Sequence, residues 1–262
     1  MIKYIDTHAH LYDEAFDQDR AEVVARALKS GVEMMLLPDV DSTTRPRMVA
    51  MAEAYPRCTR MMVGLHPTSV GEMDWRAELA EIEQLLCEGH ERFIAIGEIG
   101  LDLYWRQDNL ADQIEAMERQ IELALEYDKP VAIHTREAQE PMRELLLRYK
   151  GRGLRGVMHA FSGSVEDYRA LKGCADLLFA IGGVATFKRA AIADVAAQIA
   201  LEDLLLETDA PYLTPVPFRG KRNESAYIPY ICEHIAKLKG ISPEELARVT
   251  SENGARLFAN FL

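Results

Sequence analysis

Long apolar runs are missing from this 262-residue chain. Met34–Leu37 and Leu177–Val184 are far short of the roughly 18 to 20 residues that span a bilayer, and the second carries a double glycine. A membrane-embedded protein is therefore not expected. Cysteine is scarce and scattered: Cys58, Cys87, Cys174 and Cys232 match neither a zinc ribbon nor a small disulfide scaffold, which fits a reducing compartment. The first residues lack the basic region and apolar stretch of a secretory signal, so a cytoplasmic location is the expectation. Positive charge is in deficit, with 30 Lys and Arg against 42 Asp and Glu and a net charge of −12. That argues against a protein held on nucleic acid by a broad basic surface; any polyanion has to be gripped locally. Sixteen glycines and eleven prolines are too few for a low-complexity chain. With 48% apolar and 27% charged residues, a chain of this length buries roughly three quarters of its unfolded surface and folds without staples.

What is present is a repeating alternation. Short runs rich in Val, Ile, Leu and Met recur at Lys3–His8, Glu33–Pro38, Arg60–Leu65, Phe93–Glu98, Pro130–His134, Leu154–His159, Asp176–Gly182 and Leu204–Asp209, predicting eight strands. Amphipathic stretches predict helices between them at Asp17–Ser30, Thr43–Tyr55, Trp75–Gly89, Leu110–Tyr127, Glu137–Tyr149, Val165–Gly173 and Lys188–Ile199, with two more at Ser225–Lys239 and Pro243–Asn260. Near-continuous apolar strands alternating with helices fit a parallel sheet covered on its outer face, closed as a single (β/α)8 TIM-type barrel over residues 1–262. An open dinucleotide-binding fold is disfavoured, because the first strand ends in Thr-His-Ala-His where a glycine-rich phosphate turn is required.

Five of the eight strand C-termini carry a side chain able to bind a divalent cation. His8 and His10 follow strand one, Glu98 ends strand four, His134 strand five, His159 strand six and Asp209 strand eight. In this fold active sites are built at the C-terminal face of the strands, so all six converge on one mouth. His8 and His10, one residue apart on extended chain, project to the same side. Singly, each histidine has an ordinary reading as a hydrogen-bonded core or surface residue; together they point to metal. Four imidazoles and two carboxylates exceed what one tetrahedral ion with an open position needs, so two ions bridged by Glu98 are expected. His8, His10, Glu98 and Asp209 are assigned to the first ion, and Glu98, His134 and His159 to the second. Imidazole-rich ligation favours zinc, manganese, iron or nickel, while carboxylates and open positions also admit magnesium. Such a pair hydrolyses esters through a metal-activated water, with Asp209 as candidate general base and Glu98 as bridge. Glu207 and Asp6, each two residues before a proposed ligand, are expected to accept from an imidazole N–H or a basic partner.

His66, in Gly64-Leu65-His66-Pro67, is expected to contact a substrate phosphate or orient water. The long proline-rich stretch after strand eight concentrates Arg219, Lys221 and Arg222 in an otherwise acidic molecule, as a phosphate site needs, with Tyr212 and Phe218 available to stack on bases. Lys188 and Arg189 extend this patch or simply open a solvated helix.

These residues sit in stretches that together resemble, end to end, the TatD-family metal-dependent deoxyribonucleases of the amidohydrolase-like barrel superfamily. They are Asp6-Thr7-His8-Ala9-His10-Leu11, Gly64-Leu65-His66-Pro67, Gly97-Glu98-Ile99-Gly100-Leu101-Asp102, Ile133-His134-Thr135-Arg136, His159-Ala160-Phe161-Ser162-Gly163, Glu207-Thr208-Asp209-Ala210-Pro211-Tyr212-Leu213 and Arg219-Gly220-Lys221-Arg222-Asn223-Glu224. The resemblance implies a TIM-type barrel, a divalent metal site at His8, His10, Glu98, His134, His159 and Asp209, and exonuclease-like 3′-to-5′ cleavage of DNA phosphodiesters. DNA, single-stranded or with frayed ends, is the implied partner; no membrane and no obligate protein partner are. Ser225 stands where relatives often have proline, and Leu103-Tyr104-Trp105 varies a usually tyrosine-rich turn, which leaves loop shape and substrate preference open. Two other readings stand beside this one. A small-molecule hydrolase of the same superfamily would act on a lactone or phosphoester, although many of those bridge their metals with a carboxylated lysine where this chain has Glu98. A non-catalytic barrel would bind metal without turnover.

Overall fold

The computed structural model describes residues 2–258. Eight parallel strands, β1 (Tyr4–Asp6), β2 (Val32–Leu37), β3 (Thr59–Val63), β4 (Phe93–Asp102), β5 (Val131–Arg136), β6 (Arg155–Met158), β7 (Asp176–Ile181) and β8 (Leu204–Leu206), lie in sequence order in one sheet. The sheet curls until its two edges meet. Thr7 N–H donates to Leu206 O at 3.2 Å, Asp209 N–H to His8 O at 2.9 Å and His10 N–H to Ala210 O at 2.8 Å, around a parallel bridge between Ala9 and Ala210. This is the (β/α)8 barrel that the alternation predicts.

The helices are α1 (Arg20–Lys29), α2 (Arg45–Ala54), α3 (Trp75–Gly89), α4 (Leu110–Glu126), α5 (Gln139–Leu147), α6 (Val165–Lys172), α7 (Ala191–Gln198), α8 (Ile228–Lys239) and α9 (Pro243–Phe258). Their apolar stripes bury against the sheet's outer face in one continuous cluster. A second, inner cluster fills the barrel with alternate strand residues such as Ile5, Leu36, Met62, Val157 and Leu205, to which Leu257 and Phe258 of α9 contribute. α9 also holds the seam, where Asn253 donates to the carbonyls of Leu201 and Leu204 at 2.9 Å each.

Element ends depart from the sequence reading for local reasons. α5 and α7 begin at Gln139 and Ala191 because Glu137 and Arg189 take left-handed backbone, φ 53° and 65°, which cannot open a helix. β1 stops at Asp6 and β8 at Leu206 because the Asp6 carboxylate replaces ladder carbonyls, accepting from Thr208 N–H at 2.9 Å and Thr208 Oγ1 at 2.6 Å. Residues 259 and 260 of the last expected helix lie outside the described residues, as do residues 1 and 261–262 of the expected 1–262 domain.

Candidate metal centre

β4 is the strand that departs most from expectation, running four residues past Glu98 to Asp102. Its pairing with β5 slips between Ile96, opposite Val131, and Ile99, opposite Ile133, so Gly97 and Glu98 form a bulge. Asp39, just past β2, clamps that bulge: its N–H donates to Gly97 O and its carbonyl accepts from Glu98 N–H, both at 3.0 Å. Gly97 is required by close approach, since a Cβ there would sit 2.6 Å from the Ala132 Cβ. The bulge carries the Glu98 carboxylate, almost wholly buried, into the barrel mouth.

There the two oxygens of Glu98 face different imidazoles. Oε2 is 3.1 Å from His8 Nε2 and 3.5 Å from His10 Nε2; Asp209 Oδ1 lies 3.8 and 3.7 Å from the same two nitrogens. Oε1 is 3.0 Å from His134 Nδ1, 3.4 Å from His159 Nε2 and 3.3 Å from His66 Nε2. Asp209 reaches the group from left-handed backbone, φ 56°, three residues beyond β8.

A further ring of groups sets the imidazole tautomers. Tyr12 Oη donates to Pro38 O at 2.6 Å, so at 2.9 Å it accepts the Nδ1–H of His10 and leaves Nε2 with its lone pair toward Glu98. Asp102 accepts from His134 Nε2 at 2.9 Å, which turns the Nδ1 lone pair to Glu98. Glu207 accepts from His159 Nδ1 at 3.1 Å and from Ala160 N–H at 2.6 Å, leaving His159 Nε2 to face the carboxylate. His66 is held the other way round: its Nδ1 accepts Thr68 N–H at 3.2 Å and lies 2.6 Å from Thr68 Oγ1, so Nε2 carries the hydrogen and donates toward Glu98.

Imidazole lone pairs and carboxylate oxygens thus converge at 3.0–3.8 Å, an arrangement that needs positive charge between them. His8 Nε2 and His10 Nε2 face each other at 3.3 Å, and His8 Nδ1 is buried with no partner among the described residues. Protons supply the positive charge when no cation does. Burial works against a charged His159, but Glu207, Glu98 and Asp209 outweigh it and push its pKa up to about 10. Burial also opposes a charged Glu98, yet His159, His66 and His8 hold its carboxyl well below the usual range. His8, buried and stacked 3.5 Å from the His159 ring, is held well below ordinary histidine. Burial lifts Asp209 to about 6, against the pull of His159 and His10. The donor set fits divalent cations on either side of Glu98: ligand atoms of His8, His10 and Glu98 fall within 4.8 Å of one another, and on the other side His134 Nδ1 and His159 Nε2 lie 3.0 and 3.4 Å from Glu98 Oε1.

Above the cluster opens a cavity of about 750 Å³, lined among others by Trp105, Arg136, Phe161, Tyr212 and Leu213. The structure redraws the substrate side of the sequence reading. None of Arg219, Lys221, Arg222, Lys188 or Arg189 lines this cavity. Arg222 turns outward to Asp19, at 2.8 and 2.7 Å, and covers the Phe16 ring. Arg219 lies over Phe187, Lys221 over Phe218, and Phe218 itself stacks on Tyr227 at 4.1 Å. Asp6 accepts from Thr208, not from an imidazole or a cation. Tyr212 and His66 do line the cavity, and His66 sits beside Glu98. Sequence reasoning missed Tyr12 and Asp102 as the groups orienting His10 and His134. Their signal was proximity, two residues beyond His10 and at the true end of β4, and it was hidden while β4 was taken to end at Glu98.

Comparison with known proteins agrees with this architecture. The family profile described as "TatD related DNase" matches residues 5–259. The chain is 41% identical over 256 residues to the "uncharacterized metal-dependent hydrolase YabD" of Bacillus subtilis, covering 97% of this chain and 98% of that one. It is 33% identical over 261 residues to the "3′-5′ ssDNA/RNA exonuclease TatD" of Pantoea ananatis, covering 97% and 98%. The crystal structure of YjjV, a TatD homolog from Escherichia coli K12, superposes with a TM-score of 0.89 at 29% identity over 97% of each chain. With the family profile spanning nearly all of its length and its closed barrel matching a solved TatD homolog, this chain belongs to the TatD-related DNase family of metal-dependent hydrolases.

Proposed function

We propose that this protein is a two-metal phosphodiesterase that removes nucleotides from the 3′ end of single-stranded or frayed DNA. The observation that carries the reading is the division of Glu98: one oxygen meets His8 and His10 with Asp209 nearby, the other meets His134 and His159, beneath a single cavity. His8, His10, Glu98 and Asp209 would hold the first cation, and Glu98, His134 and His159 the second. Two divalent cations bound there, zinc, manganese or magnesium, would supply neutralisation of phosphoryl charge and an acidified water. Asp209, at the cavity edge of the cluster, would take a proton from the attacking water as its oxygen bonds phosphorus and the bond to the preceding nucleotide's 3′-oxygen breaks, that oxygen leaving as a hydroxyl with a proton from solvent. His66 Nε2–H, fixed by Thr68, offers a hydrogen bond to a phosphoryl oxygen. A pocket of about 750 Å³ accepts a strand terminus and not the body of a duplex, which supports end-wise cleavage of unpaired ends. The relative named as a 3′-5′ ssDNA/RNA exonuclease supports the polarity.

The test is degradation of 3′- and 5′-labelled single-stranded and duplex DNA with magnesium, manganese or zinc and with chelator, beside bis(p-nitrophenyl) phosphate and a lactone panel. Cation-dependent shortening from the 3′ end, faster on single strands, is the expected result. One feature favours a second reading, a small phosphoester or lactone as substrate: Arg136 is the only lysine or arginine lining the cavity among the described residues. Lactone turnover with intact DNA would establish that reading instead.

A further inference from the structure

We propose that Trp105, with Tyr104 and Arg136, forms a stacking platform for an unpaired nucleobase at the mouth of the cavity, next to the nucleotide being released. The inference rests on the nuclease reading above and specifies which feature of the strand the site grips.

Trp105 is 70% exposed, an unfavourable position for an indole that nothing covers. Its placement is nevertheless rigid. Asp102 Oδ1 accepts the backbone N–H of Tyr104 at 2.9 Å and of Trp105 at 3.3 Å, closing a tight turn, while Leu103 N–H donates to Arg136 O at 2.9 Å. Gln113 pins Asp102 from behind, donating to its carbonyl at 3.0 Å and accepting its N–H at 2.8 Å. The other oxygen of Asp102 holds His134, so one carboxylate sets the position of both a Glu98-facing imidazole and the aromatic turn. The platform is thereby registered to the reacting centre.

Its chemistry suits a base flanked by phosphate. The Tyr104 and Trp105 rings meet edge to face at 4.9 Å, and the Arg136 guanidinium lies 3.6 Å over Tyr104 and 5.6 Å from Trp105. The guanidinium N–H groups of Arg136 meet no acceptor among the described residues, whereas Arg222 and Arg26 are both committed to carboxylates. An exposed indole beside an uncommitted guanidinium, both lining the same cavity, offers a stacking face and a phosphate contact together. Paired bases cannot present a free face to it, so the platform selects single strands.

The experiment joins fluorescence to kinetics. Trp75, the other tryptophan of the chain, is buried at the start of α3 and does not line the cavity, so quenching of indole emission by a strand reports on Trp105. With magnesium present, a cleavage-resistant phosphorothioate oligothymidylate is expected to quench the wild-type protein and to leave Trp105→Phe unquenched. Trp105→Ala should lose roughly tenfold more kcat/KM on an oligonucleotide than on bis(p-nitrophenyl) phosphate, and Trp105→Phe should restore most of it. Removing the adjacent base as an abasic site should cost the wild type a similar factor and the Trp105→Ala protein almost nothing further. Equal losses on both substrates, or oligonucleotide hydrolysis without quenching, overturns the platform while leaving the nuclease reading intact. No oligonucleotide turnover at all in the wild type overturns both.

Discussion

Two dense arrays of charge in this molecule are organised in opposite ways. On the outside, along α3, α4 and the end of α5, guanidinium and carboxylate groups pair one to one: Arg76 with Glu115 at 3.0 Å, Arg119 with Glu83 at 2.6 Å, Arg148 with Glu118 at 2.6 Å and Arg152 with Glu122 at 2.7 Å. Each charge has one partner and water beside it, so these pairs add little stability and do no chemistry. In the barrel mouth five imidazoles crowd one carboxylate, and all of them are largely screened from water. The outer array is balanced as folded, whereas the inner one is balanced only by protons or cations. The difference teaches that density of charge says little about function; burial and an uneven count of partners say much more.

The strongest way to break this contrast is to remove the shared partner. Glu98→Gln should lower turnover at least about a thousandfold while circular dichroism stays unchanged, because it withdraws charge from both cation positions together. A smaller effect follows from removing the cations themselves. At a tenfold excess over Kd the two together stabilise the fold by about 2.8 kcal/mol, so chelation should lower Tm by roughly 5–10 °C in the wild type and leave Glu98→Gln nearly unaffected. Calorimetry in buffers of different ionisation enthalpy sharpens the point. His159 is raised from 6.5 to about 10, so near neutral pH cation binding should expel a proton and apparent affinity should rise with pH. The sign for the cation-free fold is the reverse: the His159 contribution is full below about 6.5 and fades as pH climbs through about 10.

Weaker still is the effect of loosening one ligand. Tyr12→Phe leaves His10 Nδ1 without its acceptor and should cost about tenfold in cation affinity, read by metal titration, with kcat affected less. Arg222→Ala tests the basic loop. With Arg222 paired to Asp19 and absent from the cavity wall, its loss should cost at most about 1 kcal/mol in urea denaturation and change kcat/KM less than threefold. The smallest effect belongs to the outer array, where Arg119→Ala should move Tm by no more than about 2 °C and leave turnover alone. A larger loss of activity there would erase the distinction between the arrays.

Much of the barrel and the inner cluster was legible because both follow local rules. Strand runs such as Val131–Arg136 and Asp176–Ile181 announce themselves by composition, and in a barrel each strand's C-terminal end lies at the same mouth, so His134 and His159 could be brought together on paper. The bulge at Gly97 and Glu98 could not, because it depends on Asp39 reaching across from the end of β2. With it went the true end of β4, and so the role of Asp102. The directions taken by the cations of the loop after β8 were hidden for a similar reason. Composition brings Arg219, Lys221 and Arg222 together, but only tertiary contact, with Asp19 in the first βα connection and with Phe187, shows which way they point. Arg136 was visible within a family stretch and carried no distinguishing pattern of its own.

Anomalous diffraction from crystals grown with manganese or zinc tests the central claim most directly. Two peaks about 3.5–4 Å apart are predicted, one bounded by His8, His10 and Asp209, the other by His134 and His159, with Glu98 between them. Density showing those imidazoles still closed on Glu98, with no cation on either side at saturating metal, would contradict it.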